Sequence, residues 1–190
     1  MEKISFKIQI TLFILLIINN ISYSSQLDKV AKSYSHNMQK ISPTLTAVIT
    51  NKDKGLGHYY IIYKESMLAM QGIKYLGEKY KWEIGKRPKY NEFNGLPSGH
   101  TTSAWISAAY MRSFSKDYKY LSIPLYASAI AMGYSRVRGK HHTISQVASG
   151  ALLAETIIYT NSKLNWSKNY SPIDISMSNK SGALNFNFNF

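Results

Sequence analysis

The stretch Leu96-Pro97-Ser98-Gly99-His100-Thr101-Thr102, LPSGHTT, runs from loop into a helix-like segment. Pro97, Ser98 and Gly99 are turn residues. Ser103-Ala104-Trp105-Ile106-Ser107-Ala108-Ala109-Tyr110, directly after them, has a helical composition. A helix is therefore predicted to begin near His100. Its first turn leaves backbone N–H groups without intrahelical partners, a setting that favours anions. Taken alone, a histidine there is a polar residue at a helix start. What else the chain brings to that end decides its meaning.

Working outward, the middle of the chain reads as mostly helical. Tyr59 to Trp82 carries Ile62, Leu68, Met70, Ile73 and Leu76 at helical spacing. Gly85 is expected to close that helix, and Lys86-Arg87-Pro88 to leave it, because the residue before proline disfavours helical geometry. Residues 89–99 read as loop. Further helices are predicted at about 100–113, 118–133 and 143–160. Toward the N-terminus, Leu27 to Lys40 reads as a first helix and Leu45 to Thr50 as a second apolar piece begun by Ser42-Pro43. Asn51 to Gly57 reads as a charged loop. The tail differs: residues 172–178 and 183–190 alternate apolar and polar around Asn179-Lys180-Ser181-Gly182, the pattern of a short β-hairpin.

The chain has 190 residues, enough for one domain with a real core, and a formal net charge of +13. Such a field favours anionic partners. Met1 to Lys7 is basic, Ile8 to Ile18 is apolar, and Ser22 and Ser24 can occupy the two small-residue positions of a cut near Ser24, which is the layout of a secretory signal. The expected organisation is a signal peptide over 1–24, a domain over 25–166 and a tail over 167–190. An exported protein, in a periplasm or on a membrane surface, argues against nucleic acid as the partner. Cysteine is absent, which removes disulfides and thiol chemistry. Tyr120 to Ser135 is the best later apolar run, but Pro124 and its hydroxyls interrupt it.

Three basic or imidazole-bearing clusters stand at helix ends: Lys79 to Pro88, the LPSGHTT stretch, and Ser135-Arg136-Val137-Arg138-Gly139-Lys140-His141-His142. A bundle can bring such ends together. Arg forks match phosphate oxygens, so the pocket formed would bind phosphate. Two imidazoles there suggest a reaction: one attacks phosphorus and the other protonates the departing alkoxide. No metal-ligand pattern such as HExxH is present, and no cofactor is implied.

In this order the clusters resemble the type 2 phosphatidic acid phosphatase superfamily, whose pattern is K-x6-R-P, then P-S-G-H, then S-R-x5-H-x3-D. Pro97-Ser98-Gly99-His100 matches the second motif without change. Ser135-Arg136, five residues and His142 match the third, which selects His142 over His141. Arg87-Pro88 ends the first. The resemblance covers about residues 60–155 as a motif hypothesis in a helical context. It implies an all-α helical bundle, with His142 as nucleophile and His100 as the acid for the leaving group. It further implies Arg87, Arg136 and a lysine as phosphate ligands, assisted by Ser98 and the Gly99 N–H. Lipid-linked phosphates are the expected substrates, with membrane contact through the basic patches and the tail. A broad-specificity soluble acid phosphatase, or a phosphate-binding protein with little turnover, is the alternative.

Two positions depart from the pattern. Seven residues before Arg87 stands Tyr80; of the flanking lysines, Lys81 is preferred over Lys79. Four residues after His142 stands Gln146 where the family has Asp. Its amide oxygen can still accept from the imidazole and fix the tautomer, but carries no charge for a developing imidazolium. Replacing it by Asp would raise turnover if the amide merely slows the same chemistry. Glu155 is a second candidate for supplying the missing charge.

Overall fold

The computed structural model describes residues 24–164, 173–177 and 184–188. The expected signal segment lies outside these, as does most of the tail. Four α-helices make the body: α1 (Ser24–Lys79), α2 (Gly99–Phe114), α3 (Ser122–Arg138) and α4 (Ile144–Leu164). Short 3-10 turns, Glu83–Gly85 and Lys119–Leu121, lie in the connections after α1 and α2. Two short stretches, Ile173–Met177 and Leu184–Phe188, pair antiparallel. No helix among the described residues is long and apolar enough to cross a membrane.

α1 corrects the reading of residues 27–57. The expected loop at Asn51 to Gly57 is helical, and Pro43 lies inside the helix rather than at a boundary. The two halves of α1 meet at Gly55, with φ 80° and ψ 153°, a conformation that only glycine adopts without strain. The Asn51 side chain accepts the Leu56 N–H at 3.0 Å across this kink, so the second half starts with a partner for an otherwise orphaned donor.

The second half of α1 packs against α2. Ile62, Ser66 and Met70 are buried at four-residue intervals, one face of a helix. Opposite them lie the fully buried Ile106, Ala109 and Tyr110 of α2, with Ala154, Ile157 and Ile158 of α4 closing the core. Truncating a core side chain such as Ile106 to Ala would cost about 2–5 kcal/mol. Hydroxyl pairs cross the same seam: Tyr59 to Ser107 at 3.0 Å and Tyr63 to Ser103 at 2.9 Å. They satisfy polar groups that a close-packed interior would otherwise penalise. Small residues bring the remaining elements close. A Cβ on Gly150 would stand 2.7 Å from the Ser98 carbonyl, and one on Gly133 would stand 2.6 Å from Val147. α4 is thereby held against the start of α2, and α3 against α4.

Candidate active site

The start of α2 is the anchor of the site. Ser98 is buried, and its N–H donates to the Gln146 carbonyl at 2.8 Å. Its own carbonyl accepts from the Thr102 N–H and hydroxyl at 2.9 and 3.0 Å, and Thr101 donates to its hydroxyl at 3.1 Å. Gly99 lies against α1: a Cβ there would meet Met70 at 3.4 Å and the Lys74 stem at 4.0 Å. The Lys74 stem therefore passes within contact distance of the helix start.

That lysine is Lys74, which the sequence reading did not select. It is half-buried, and its ammonium donates to the Asn94 carbonyl at 2.6 Å. Burial pushes its pKa down to about 8; nearby Arg87 and Arg136 push the same way and Glu92 opposes. Lys81, the expected ligand, goes elsewhere. It is exposed, pairs with Glu78 at 2.5 Å, and lies over the Phe93 ring. Glu78 also accepts the Phe93 N–H at 2.7 Å, so this pair braces the loop from outside. Lys79 reaches over the rings of Tyr75 and Tyr80. The helix ends at Lys79, so the chain turns away before Lys81 can follow the inward face. A signal for Lys74 was present: it extends the series Ile62, Ser66, Met70 by one further step of four.

Arg87 and Arg136 come from opposite sides. The Arg87 guanidinium pairs with Glu92 at 3.0 Å, donates to the His141 carbonyl at 3.3 Å, and stacks 4.7 Å from the Tyr90 ring centre. Arg136, near the C-terminal end of α3, is 9% exposed, and its Nε has no hydrogen-bond partner. The turn that follows α3 is tied by the Arg136 carbonyl, which accepts from the His141 and His142 N–H groups at 3.0 and 3.3 Å.

His142 is buried, and two oxygens compete for its Nδ1: the Gly95 carbonyl at 3.0 Å and the Gln146 amide oxygen at 3.2 Å. Both are acceptors, so Nδ1 carries the proton and Nε2 keeps the lone pair. Burial pushes the pKa to about 3, aided by Lys74, Arg87 and Arg136, with the Gln146 bond opposing. The ring is neutral at ordinary pH. His100, in the first turn of α2, is pushed to about 4 by burial and then by Arg136, His141, His36 and Lys74.

Gln146 has more work than orienting an imidazole. Its Nε2 donates to the Ile84 and Lys86 carbonyls at 3.0 and 2.8 Å, and its oxygen also accepts the Thr143 N–H at 3.2 Å. Gly95 packs on it so closely that a Cβ would stand 2.6 Å from the amide oxygen. The amide thus ties the loop carrying Arg87 to the loop carrying His142. A carboxylate could accept but could not donate to two carbonyls. The carbonyl of Gly95 is an acceptor that no side-chain motif discloses. Glu155 takes no part: it accepts from Tyr126 at 2.6 Å, Arg112 at 2.8 Å and Trp105 at 2.9 Å. Among the described residues, no group of three or more His, Asp or Glu gathers as a metal site.

The folded chain thus brings together two neutral imidazoles, two guanidiniums, one ammonium and a helix start, an arrangement suited to a tetrahedral oxyanion. The sequence model of the PAP2 superfamily matches residues 56–170, and the chain belongs to that superfamily. A curated relative, the lipid A 4'-phosphatase of Helicobacter pylori (strain J99), is 38% identical over 79 residues. That match covers 40% of this chain and 37% of the relative's length. No solved structure matches the chain.

Proposed function

We propose that this chain is a phosphatase that hydrolyses phosphomonoesters through a phosphohistidine on His142. The observation that carries the reading is the double restraint on His142 Nδ1, which leaves Nε2 unprotonated on a ring that lies in the field of Lys74, Arg87 and Arg136. In the first step the Nε2 lone pair forms a bond to phosphorus while the ester P–O bond breaks. His100, once charged, gives its proton to the departing alkoxide. In the second step water attacks the phosphohistidine, His100 recovers a proton from it, and inorganic phosphate leaves. Lys74, Arg87 and Arg136 hold the non-bridging oxygens as charge shifts onto them, helped by the Gly99 N–H. The free enzyme keeps His100 neutral because it is buried and, beyond that, because cations surround it. A phosphate placed among those cations would cancel their push and raise the imidazole's affinity for a proton. Substrate binding would thereby charge its own acid.

A lipid-linked phosphate is the substrate this reading favours. The relative's activity as a lipid A 4'-phosphatase, the net charge of +13, and exposed Tyr80, Trp82 and Ile84 beside the site support it. The reading includes export through residues 1–24, a phosphatase domain over 25–166, and a C-terminal tail that folds as a hairpin and adds membrane contact. The test is phosphate release by the purified chain from lipid A, phosphatidic acid, undecaprenyl pyrophosphate and p-nitrophenyl phosphate, with His142→Ala beside it. Release should fall at least about a thousandfold in the variant, the scale seen when a nucleophile is lost. Equal release from both would end the enzyme reading. A protein that binds phosphate but releases none would be a binding protein, with Gln146 the reason.

A further inference from the structure

The three cations of the site are held differently. Lys74 donates to a neutral carbonyl, that of Asn94, at 2.6 Å, and the buried Arg136 Nε has no partner. Of the three, Arg87 is the one paired with a carboxylate among the described residues: its Nη1 meets the Glu92 Oε2 at 3.0 Å. The charge of Glu92 also bears on Lys74. A carboxylate thus stands between two of the proposed phosphate ligands. It takes the kind of N–H contact that a phosphate oxygen would take.

Arg87 has other supports. Its Nε donates to the His141 carbonyl at 3.3 Å, and its guanidinium lies 4.7 Å from the Tyr90 ring centre. The loop has its own closure as well. The Arg87 N–H donates to the Glu92 carbonyl at 2.9 Å and the Tyr90 N–H to the Arg87 carbonyl at 3.3 Å, so backbone bonds hold the turn over residues 87–92. The Glu92 side chain is 47% exposed against 21% for Arg87, so it can leave the pair for water without uncovering a core. Half-exposed pairs of this kind hold weakly. A phosphate dianion brings more charge and oxygens that match the guanidinium fork, so it displaces the carboxylate.

We infer that Glu92 is an internal competitor of phosphate: it occupies Arg87 in the free protein, yields it to the phosphoryl group of the substrate, and takes it back as inorganic phosphate leaves. The inference rests on the phosphatase reading above and adds a residue that sets the affinity of the site. Glu92 acts through Arg87 and touches no reacting atom. Its effect therefore falls on binding and on product release rather than on the chemical step.

Calorimetry on the full chain with methylphosphonate, a probe that cannot be hydrolysed, tests it in Glu92→Gln and Glu92→Ala. Both variants should bind at least about threefold more tightly than wild type, the scale of one half-exposed pair removed as a competitor. With p-nitrophenyl phosphate, KM and the inhibition constant of inorganic phosphate should fall by that same factor, while kcat stays level or falls. In an Arg87→Ala background the Glu92 substitutions should change affinity by less than about 1.5-fold. Weaker or unchanged binding in both variants would make Glu92 a brace for Arg87 and overturn the inference. A gain that survives without Arg87 would overturn it too, as the effect of one charge on the whole site. If the wild-type chain itself does not bind methylphosphonate, the phosphate site proposed above fails, an outcome distinct from a wild type that binds and variants that bind no more tightly.

Discussion

His142 and His58 are equally buried, each 4% exposed, and burial lowers the pKa of both. They stand in regions that use burial differently. His58 follows the Gly55 kink of α1, bonds the Tyr110 hydroxyl at 2.5 Å, and meets the edge of Phe114 with ring centres 4.9 Å apart. Its neighbours are aromatic rings, and one cation, Lys54, adds to the burial. It fastens α1 to α2. His142 is held by two carbonyl-type oxygens and faces three cations. A depressed imidazole pKa therefore does not distinguish a site from a core. The count of like charges gathered around the ring does, because a folded protein tolerates such a cluster only where an anion is to be held.

The sharpest way to break this comparison is to remove a cation at the site and one outside it. Lys74→Ala should lower kcat/KM for p-nitrophenyl phosphate by about a hundredfold, the usual effect of losing one preorganised donor to a developing oxyanion. Lys81→Ala, which loses an exposed pair with Glu78 and a contact over the Phe93 ring, should stay within about twofold. Reversed magnitudes would return the phosphate ligand to Lys81, one residue off the spacing of the family motif.

Gln146→Asp comes next in expected size. The substitution restores the family residue, yet here it should reduce turnover by about tenfold or more. It removes both donors to the Ile84 and Lys86 carbonyls and sets a carboxylate against them, which displaces the Arg87 loop. Stability should fall by about 1–3 kcal/mol for the buried groups left unpaired, read as a lower denaturation midpoint. A rise in kcat with unchanged stability would show that charge, not the bridge, is what position 146 lacks.

The smallest effect separates the two histidines by pH. Both have folded-state pKa values depressed from 6.5, to about 4 for His58 and about 3 for His142. The unfolded chain takes up protons below pH 6.5 that the folded chain refuses, so stability is full above 6.5 and declines as pH falls toward those values. Methylphosphonate should lessen the decline by raising the pKa of the site imidazoles. His58→Gln keeps an acceptor for Tyr110 and should lessen it by a separate, additive amount, with phosphate release at pH 7 unchanged within twofold. Thermal melts from pH 7.5 to 4.5 measure both. A variant with the wild-type slope would mean that His58 is already charged in the folded protein.

Much of the candidate site was legible before folding. His100, Arg87, Arg136 and His142 were readable because side-chain chemistry at fixed spacing survives as pattern, and helical periodicity carries it to the right ends. α2, α3 and α4 were readable for the same reason. The shape of α1 was not: Pro43, a strong local breaker, is carried inside a helix, while Gly55 does break it, into a kink that the Asn51 bond spans rather than the loop expected there. Lys74, the lysine the fold brings to the candidate site, was not selected because a motif counts residues along the chain. Selection for the site depends on where α1 ends and which face it buries.

By itself, then, the sequence determined the chemistry available: two imidazoles, two arginines, a helix start with a glycine in it, and a strongly positive field. Those are properties of residue types and of short-range spacing. Tertiary structure alone decided which lysine enters, that Glu155 serves a distant cluster, and that a backbone carbonyl from Gly95 shares the orienting of His142. It also decided that Gln146 is a two-sided bridge rather than a weakened carboxylate. Each of these turns on an acceptor or a neighbour more than ten residues away, which becomes a partner only when the helices pack.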